Sequence, residues 1–450
     1  MNQTSPSPLL FQRPWRVLRY FLLGLMVLVV LYAVARVIDV SLGSVYSGIR
    51  GPYLQMPSDT AITVRWQSEE KYPGTVRYGR DRDRLEKQAT ERAAQIEHRV
   101  RIKGLMPLTK YYYRIVSKTA GLDKTYSFVT AASPGSDAPL RFWVTGDEGY
   151  RNPVQTAVKQ TAWQWLEKHP RPGRGLIDFW LTTGDNAYPA GTNKQFQDNF
   201  FLPYADVLTR YVVWPTYGNH DARRSPFFDI FSPPTHAESG GTPSYTKHYY
   251  SFDDGQLHVV MMDSEGSSLA KGSKMLQWLE TDLKATRQPW RIVVMHHPPY
   301  THGGHNSDHR RDSHGRMFEI RENFVPVFER LGVDMVLSGH SHDYERSHAI
   351  ACHYGDSSTW KESYIQDKTS PYRKGSGTIY MVIGSSSKLD EGPLDHPALP
   401  VSLKQSGSVI IDIKQNTLTS RFINKQGVIA DEFQIAKDQN SRPAGSRHCE

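Results

Sequence analysis

The sequence predicts an α/β sandwich of mixed sheets flanked by helices, preceded by an all-β unit and an N-terminal apolar helix. Three observations carry this. From Gly51 to about Thr130, apolar and polar residues alternate with period two, as in half-buried strands. From Leu140 onward, continuous apolar runs lacking that alternation are interleaved with helix-like windows, the pattern of strands covered on both faces. Ahead of both lies the apolar stretch "YFLLGLMVLVVLYAVA", Tyr20 to Ala35.

That stretch follows Arg13, Arg16 and Arg19, and Val17, Leu18, Val37 and Ile38 extend it toward the ~20 residues a bilayer requires. Positive charge before the run orients the N-terminus toward the cytoplasm. The expected division is a basic segment over 1–16 and an anchor or signal peptide over 17–39. Ala33-Val34-Ala35 resembles a signal-peptidase site, so cleavage competes with retention, and a buried core helix is a third reading. Anchor and signal alike put the body outside the cytoplasm, membrane-anchored or secreted.

Composition narrows the classes. With 450 residues the chain is long enough for about two domains, and 38% hydrophobic and 22% charged content is ordinary for a globular protein. The net charge of +8 is scattered, with no basic arm or stripe, so no nucleic-acid partner is expected, while anionic substrates are attracted. The 2 cysteines, Cys352 and Cys449, exclude a disulfide framework and a thiolate metal site. They leave open one bridge, or a tail over 438–450 carrying a spare thiol.

In the all-β unit, expected over 48–131, "AITVRWQ" (61–67) and "GTVRYG" (74–79) read as strands. "LMPLTKYYYRIV" (105–116) spaces Leu105, Pro107, Thr109, Tyr111, Tyr113 and Ile115 two apart, which resembles the tyrosine corner of fibronectin type III domains. An aromatic ligand-binding stripe is the functional alternative to core tyrosines. The linker "AASPGSDAP" (131–139) separates this unit from the larger domain expected over 138–437. The stretch 353–376 reads as an exposed insertion.

The decisive pattern lies at the end of each apolar run of that domain. "LRFWVT" runs into Gly146-Asp147, "LIDFWLTT" into Gly184-Asp185 with Tyr188, and "YVVWPTY" into Gly218-Asn219-His220-Asp221. "WRIVVM" runs into His296, and "DMVLS" into Gly339-His340-Ser341-His342. In open α/β sheets, ligands bind beyond the carboxyl ends of strands. A single Gly-Asp there is ordinarily a turn or helix cap, but five polar strand ends at one edge point to a shared site. Carboxylates, a phenol, an amide oxygen and imidazoles without thiolate suit two cations bridged by a shared carboxylate; hard oxygens favour Fe(III), and imidazoles favour Zn, Mn or Fe(II).

The motif series GD-x-G, GD-x-x-Y, GNHD, terminal His296 and GH-x-H resembles the calcineurin-like metallophosphoesterases. Tyr188, the preceding β unit opening "GPYLQ", and "GHSHDYERS" make it similar to the purple acid phosphatases over roughly Gly51 to Ala436. The resemblance implies Fe(III) held by Asp147, Asp185, Tyr188 and His342. It implies a second, divalent metal held by Asp185, Asn219, His296 and His340. His220 is implied to contact phosphate or protonate the leaving oxygen. An aspartate two residues past the tyrosine, frequent in plant-like members, is replaced here by Ala190, which leaves Asp221 as a candidate partner of His220. The further substrate histidine falls at Asn306, flanked by His302, His305 and His309; His302 and His305 are carried as candidates, and Arg310 or Arg311 as phosphate-binding lid residues.

The expected activity is hydrolysis of phosphate monoesters by a metal-bound hydroxide, an acid phosphatase reaction with a phosphate ester substrate. A phosphodiesterase or nucleotide pyrophosphatase on the same site is the alternative. A non-catalytic cell-surface binding protein is a remote one, since no ligand of the implied set is missing. An Fe(III) phenolate at Tyr188 would make the protein pink to purple. The sequence leaves the oligomeric state open.

Overall fold

The computed structural model describes residues 13–43, 46–117, 122–223, 226–437 and 449. Residues 1–12, and the tail expected over 438–450 apart from Cys449, lie outside the described residues. The chain divides into two units, Met1–Tyr46 and Ser47–Glu450. The described part of the first holds the helix Arg13–Gly43. Among the described residues no helix is long and apolar enough to cross a membrane. The anchor or signal peptide expected over 17–39 falls within this helix, whose side chains are described only in part.

The second unit opens with five strands, Arg50–Gln55, Ala61–Gly79, Lys87–Lys103, Lys110–Ile115 and Tyr126–Val129. The two strands expected at 61–67 and 74–79 are one. Register shifts between Gln67 and Tyr72, and between Pro73 and Thr75, carry the strand past its proline. Such irregularities are where a central strand tolerates a residue that cannot donate to the ladder. Trp66, Val76 and Tyr113 are buried in the core of this part. Tyr111 is buried too, and its hydroxyl accepts from the Met106 amide at 3.1 Å. The sheet does not stop at the linker: Leu54 pairs with Val212, so hydrogen bonding runs unbroken into the next part.

That part is built on two sheets, of 12 strands (including the five above) and 7 strands. Phe142, Val144 and Leu181 from the first pack with Val259, Ile292 and Leu337 from the second in one core. Their neighbours face outward. Trp143 and Trp180 pack with Ala162 and Leu166 of helix Pro153–Lys168. Val260, Val293 and Val336 pack with Leu279 of helix Lys274–Ala285 and Ile320 of helix Arg316–Asn323. Both faces of these strands therefore meet apolar neighbours, which is why the runs show little alternation.

Strands Leu140–Thr145, Phe179–Thr182 and Val212–Trp214 run parallel in the first sheet. Strands Leu257–Met261, Trp290–Val294, Met335–Ser338 and Ile379–Ile383 run parallel in the second. Register aligns their ends, Thr145 opposite Thr182 and Val294 opposite Leu337, so the loops at those ends emerge together. Cys352 and Cys449 form a disulfide across a sequence separation of 97, which settles the alternative of a spare thiol.

Candidate metal centre

The glycines before the polar residues are expected from sequence to make tight turns. Only Gly184, at φ 104°, has the left-handed backbone that glycine favours. Three of the polar residues are themselves left-handed: Asp147 (φ 56°), Asp185 (φ 56°) and His340 (φ 70°). Such conformations cost a non-glycine residue about 1–2 kcal/mol each and persist only where the surroundings impose them. The glycines serve close approach instead. A Cβ on Gly218 would collide with Asp185, and one on Gly339 with Asp147.

Two groups of donors result. The Tyr188 hydroxyl lies 2.9 Å from Asp147 Oδ1, 3.0 Å from Asp185 Oδ2 and 3.0 Å from His342 Nε2. Beside it, Asn219 Oδ1 lies 2.9 Å from His296 Nε2 and 3.1 Å from His340 Nδ1, and those two nitrogens are 3.2 Å apart. Asp185 joins the groups: its Oδ2 faces Tyr188 on one side and sits 3.5 Å from His296 Nε2 on the other. All of these side chains except Asn219 are buried. The Nδ1–H of His296 donates to the Thr183 carbonyl at 2.9 Å, which leaves Nε2 to face the cluster.

The electrostatics suit a cation. Burial opposes ionisation of Asp185, but His296 and His220 outweigh it and hold the carboxyl below its ordinary range. Burial, reinforced by His297, His296 and His305, pulls His340 well below its usual value, so the ring is neutral with a lone pair to give. Burial together with Asp147 and Asp185 pushes the Tyr188 phenol far up, so its proton leaves only when a strong positive charge replaces it. Asp147, Asp185 and His296 have ligand atoms close enough to share one ion. Oxygen-rich on one side and imidazole-rich on the other, the donor set fits two metals.

A pocket of about 410 Å³ opens on the Asn219–His340 side, lined further by Arg223, Glu265, His297, His305, Ser313 and His314. His220 follows Asn219 and is held by three contacts: its amide donates to Asp185 Oδ1 at 2.7 Å, its Nδ1–H donates to the Pro189 carbonyl at 2.7 Å, and Nε2 lies 3.9 Å from Asp185 Oδ2. The structure redirects three expectations. Asp221 does not partner His220; fully buried, it accepts from the Asn186 amide at 3.0 Å and the Gly218 amide at 3.1 Å, stitching two site loops together. His302 does not line the pocket, because both its nitrogens are taken, by Asp395 at 2.9 Å and Asp308 at 3.0 Å. Arg310 lies 3.5 Å over the Phe318 ring, and neither it nor Arg311 lines the pocket. His305 does line it, which distinguishes it from His302.

Sequence reasoning missed His297, Ser313, Glu265 and Asp390. His297, doubling the motif histidine at 296, carried a signal; the others come from loops with no pattern of their own.

Fold and donor set define the class, an α/β sandwich with a buried cluster of cation-binding donors. Residues 140–344 match the calcineurin-like phosphoesterase family, and residues 50–130 match the purple acid phosphatase N-terminal domain. The chain belongs to the calcineurin-like phosphoesterases, in the purple acid phosphatase family. It is 28% identical over 336 residues to purple acid phosphatase 1 of Ipomoea batatas, covering 71% of this chain and 66% of that protein. It is 32% identical over 260 residues to purple acid phosphatase 21 of Arabidopsis thaliana, covering 55% of this chain and 53% of that one. The chain thus spans about half to two thirds of these relatives. Purple acid phosphatase PPD1 from yellow lupin (Lupinus luteus) seeds shares the fold, with a TM-score of 0.70 at 18% identity over 90% of this chain and 77% of that one.

Proposed function

We propose that the chain is an exported, binuclear metal-dependent phosphatase that hydrolyses phosphate monoesters. One observation carries this: Asp185 stands between two donor groups, Asp147–Tyr188–His342 and Asn219–His296–His340. The first group with Asp185 would hold Fe(III), and the second with Asp185 would hold Zn, Mn or Fe(II). When bound, such ions acidify water into a nucleophile at neutral or acid pH and neutralise phosphate charge.

The chain's own groups do the rest. With Nδ1–H fixed on the Pro189 carbonyl, His220 exchanges its second proton only through Nε2, 3.9 Å from Asp185 Oδ2, and would pass it to a leaving oxygen held beside that carboxylate. His305, its Nδ1–H donating to Asp312 Oδ1 at 2.9 Å, has no protein partner for Nε2 among the described residues and is suited to a phosphate oxygen. Export is supported by the Cys352–Cys449 bridge, which persists in oxidising compartments, together with the basic-then-apolar start of the chain. The division into 48–131 and 138–437 is retained as functional units, with the fibronectin type III-like reading of the first resting on Tyr111.

The test is release of inorganic phosphate from p-nitrophenyl phosphate near pH 5, before and after chelation and metal restoration. Bis(p-nitrophenyl) phosphate serves as the diester comparison. Chelator-sensitive monoester hydrolysis exceeding diester hydrolysis is expected. Faster diester cleavage would install the phosphodiesterase reading, and no hydrolysis of either with metals bound would contradict the proposal.

A further inference from the structure

The turn Asp312–Gly315 enters the pocket wall with an unusual backbone. Ser313 (φ 50°), His314 (φ 57°) and Gly315 (φ 81°) are left-handed in succession. Two consecutive non-glycine residues in that region are disfavoured and need something to hold them there. What holds them is contact with the metal centre. Ser313 Oγ lies 2.6 Å from His340 Nε2, the nitrogen opposite the one that faces Asn219. Ser313 Oγ also donates to Asp312 Oδ1 at 2.8 Å.

A hydroxyl has one proton, and a carboxylate can only accept. The Ser313 proton therefore goes to Asp312, and Ser313 Oγ must accept from His340 Nε2–H. That fixes the tautomer in which His340 Nδ1 is a bare lone pair aimed into the donor cluster. The same carboxylate oxygen accepts from His305 Nδ1–H at 2.9 Å, and Asp312 Oδ2 accepts from the Asn306 amide at 2.8 Å. His305 is thereby laid flat on His340, ring centroids 3.9 Å apart and planes 15° from parallel. One carboxylate sets two rings, one facing the metals and one facing the pocket.

Resting on the function proposed above, we infer that Asp312 and Ser313 are positioning residues of this site: through Ser313, Asp312 holds His340 in its metal-binding tautomer, and directly it fixes His305 toward substrate. Neither residue touches the reacting atoms. Partners that orient a ligating histidine commonly change metal affinity 10- to 100-fold.

The experiment compares the wild-type holoenzyme with Ser313→Gly, Ser313→Ala and Asp312→Asn. Each is dialysed against graded chelator, retained metal is counted by plasma emission, and kinetics on p-nitrophenyl phosphate are measured alongside. Both Ser313 variants are expected to lose one of two metal equivalents at roughly 10- to 100-fold lower chelator than wild type and to keep the other. Ser313→Gly relieves the left-handed strain, so its unfolding temperature is expected to hold or rise while its metal is lost, which a merely structural serine would not produce. Asp312→Asn should lose the same equivalent and also raise KM roughly tenfold, because His305 loses a charged hydrogen bond. Ser313→Gly retaining both equivalents at wild-type chelator levels, or Asp312→Asn unchanged in metal and KM, would overturn the inference alone. Wild-type protein that binds fewer than two metals, or hydrolyses no phosphate ester, would remove the functional reading and this inference with it.

Discussion

Asp390 Oδ2 lies 2.6 Å from His342 Nδ1, the ring nitrogen that does not face Tyr188. Burial opposes protonation of His342, but Asp147 and Asp390 outweigh it and hold the ring up to about 9. A carboxylate behind a ligating imidazole orients it and raises its basicity. Asp390→Ala is expected to weaken metal retention on the Asp147 side by roughly 10- to 100-fold, read by metal analysis after dialysis. Lys388→Ala should change little, because its 2.7 Å pair with Asp390 is partly exposed. Equal metal loss in both variants would show that Asp390 acts through surface charge rather than through His342.

Asp185 touches both donor groups, so its loss should be felt by both metals. Asp185→Ala is expected to abolish phosphatase turnover and empty both positions, whereas Asn219→Ala should spare the Asp147–Tyr188–His342 group. Metal stoichiometry of the two purified variants distinguishes these outcomes. Asp185→Ala protein with normal metal content and turnover would contradict a bridging carboxylate.

Tyr188 is buried among carboxylates that keep its phenol protonated until a strong cation displaces the proton. Iron-loaded protein is expected to absorb in the visible through phenolate-to-Fe(III) charge transfer, and Tyr188→Phe should bleach the band while leaving divalent metal in place. Optical spectra of the two proteins check this. A band unchanged in Tyr188→Phe would place the iron elsewhere.

Away from the site, His258 is buried between Asp253 and Asp282, each at 2.8 Å. Burial alone would lower its pKa, but the two hydrogen-bonded carboxylates outweigh it and raise it to about 9. A folded pKa above the unfolded ~6.5 stabilises the native state fully below pH 6.5, and that stabilisation is lost as pH rises toward 9. The contribution is about 3 kcal/mol. Urea unfolding between pH 6 and 10 should show stability falling over this window, and His258→Gln should flatten the slope. A His258→Gln protein with the wild-type slope would assign the pH dependence to other groups.

How much of this was legible depended on whether a residue's role is local. Asp147, Asp185, Asn219, His296 and His340 lie just beyond apolar strands, and parallel strands deliver their carboxyl ends to one edge, so strand order along the chain was enough to bring them together. Asp221 misled because a polar residue beside a ligand looks the same whether it faces the pocket or, as here, ties Asn186 to Gly218 from inside. His302 and His305 differ in which neighbours take their nitrogens, and one of those neighbours, Asp395, comes from a distant loop. The strand Ala61–Gly79 reads as two because Pro73 looks like a break until a register shift absorbs it. The apolar N-terminal run was legible as helix, since its length and continuity suffice for that.

Anomalous X-ray scattering from crystals of the metal-loaded protein, collected across the iron and zinc absorption edges, tests the central claim most directly. Two peaks flanking Asp185 are predicted, one among Asp147, Tyr188 and His342 and the other among Asn219, His296 and His340. A single peak, or ions held away from Asp185, would contradict it.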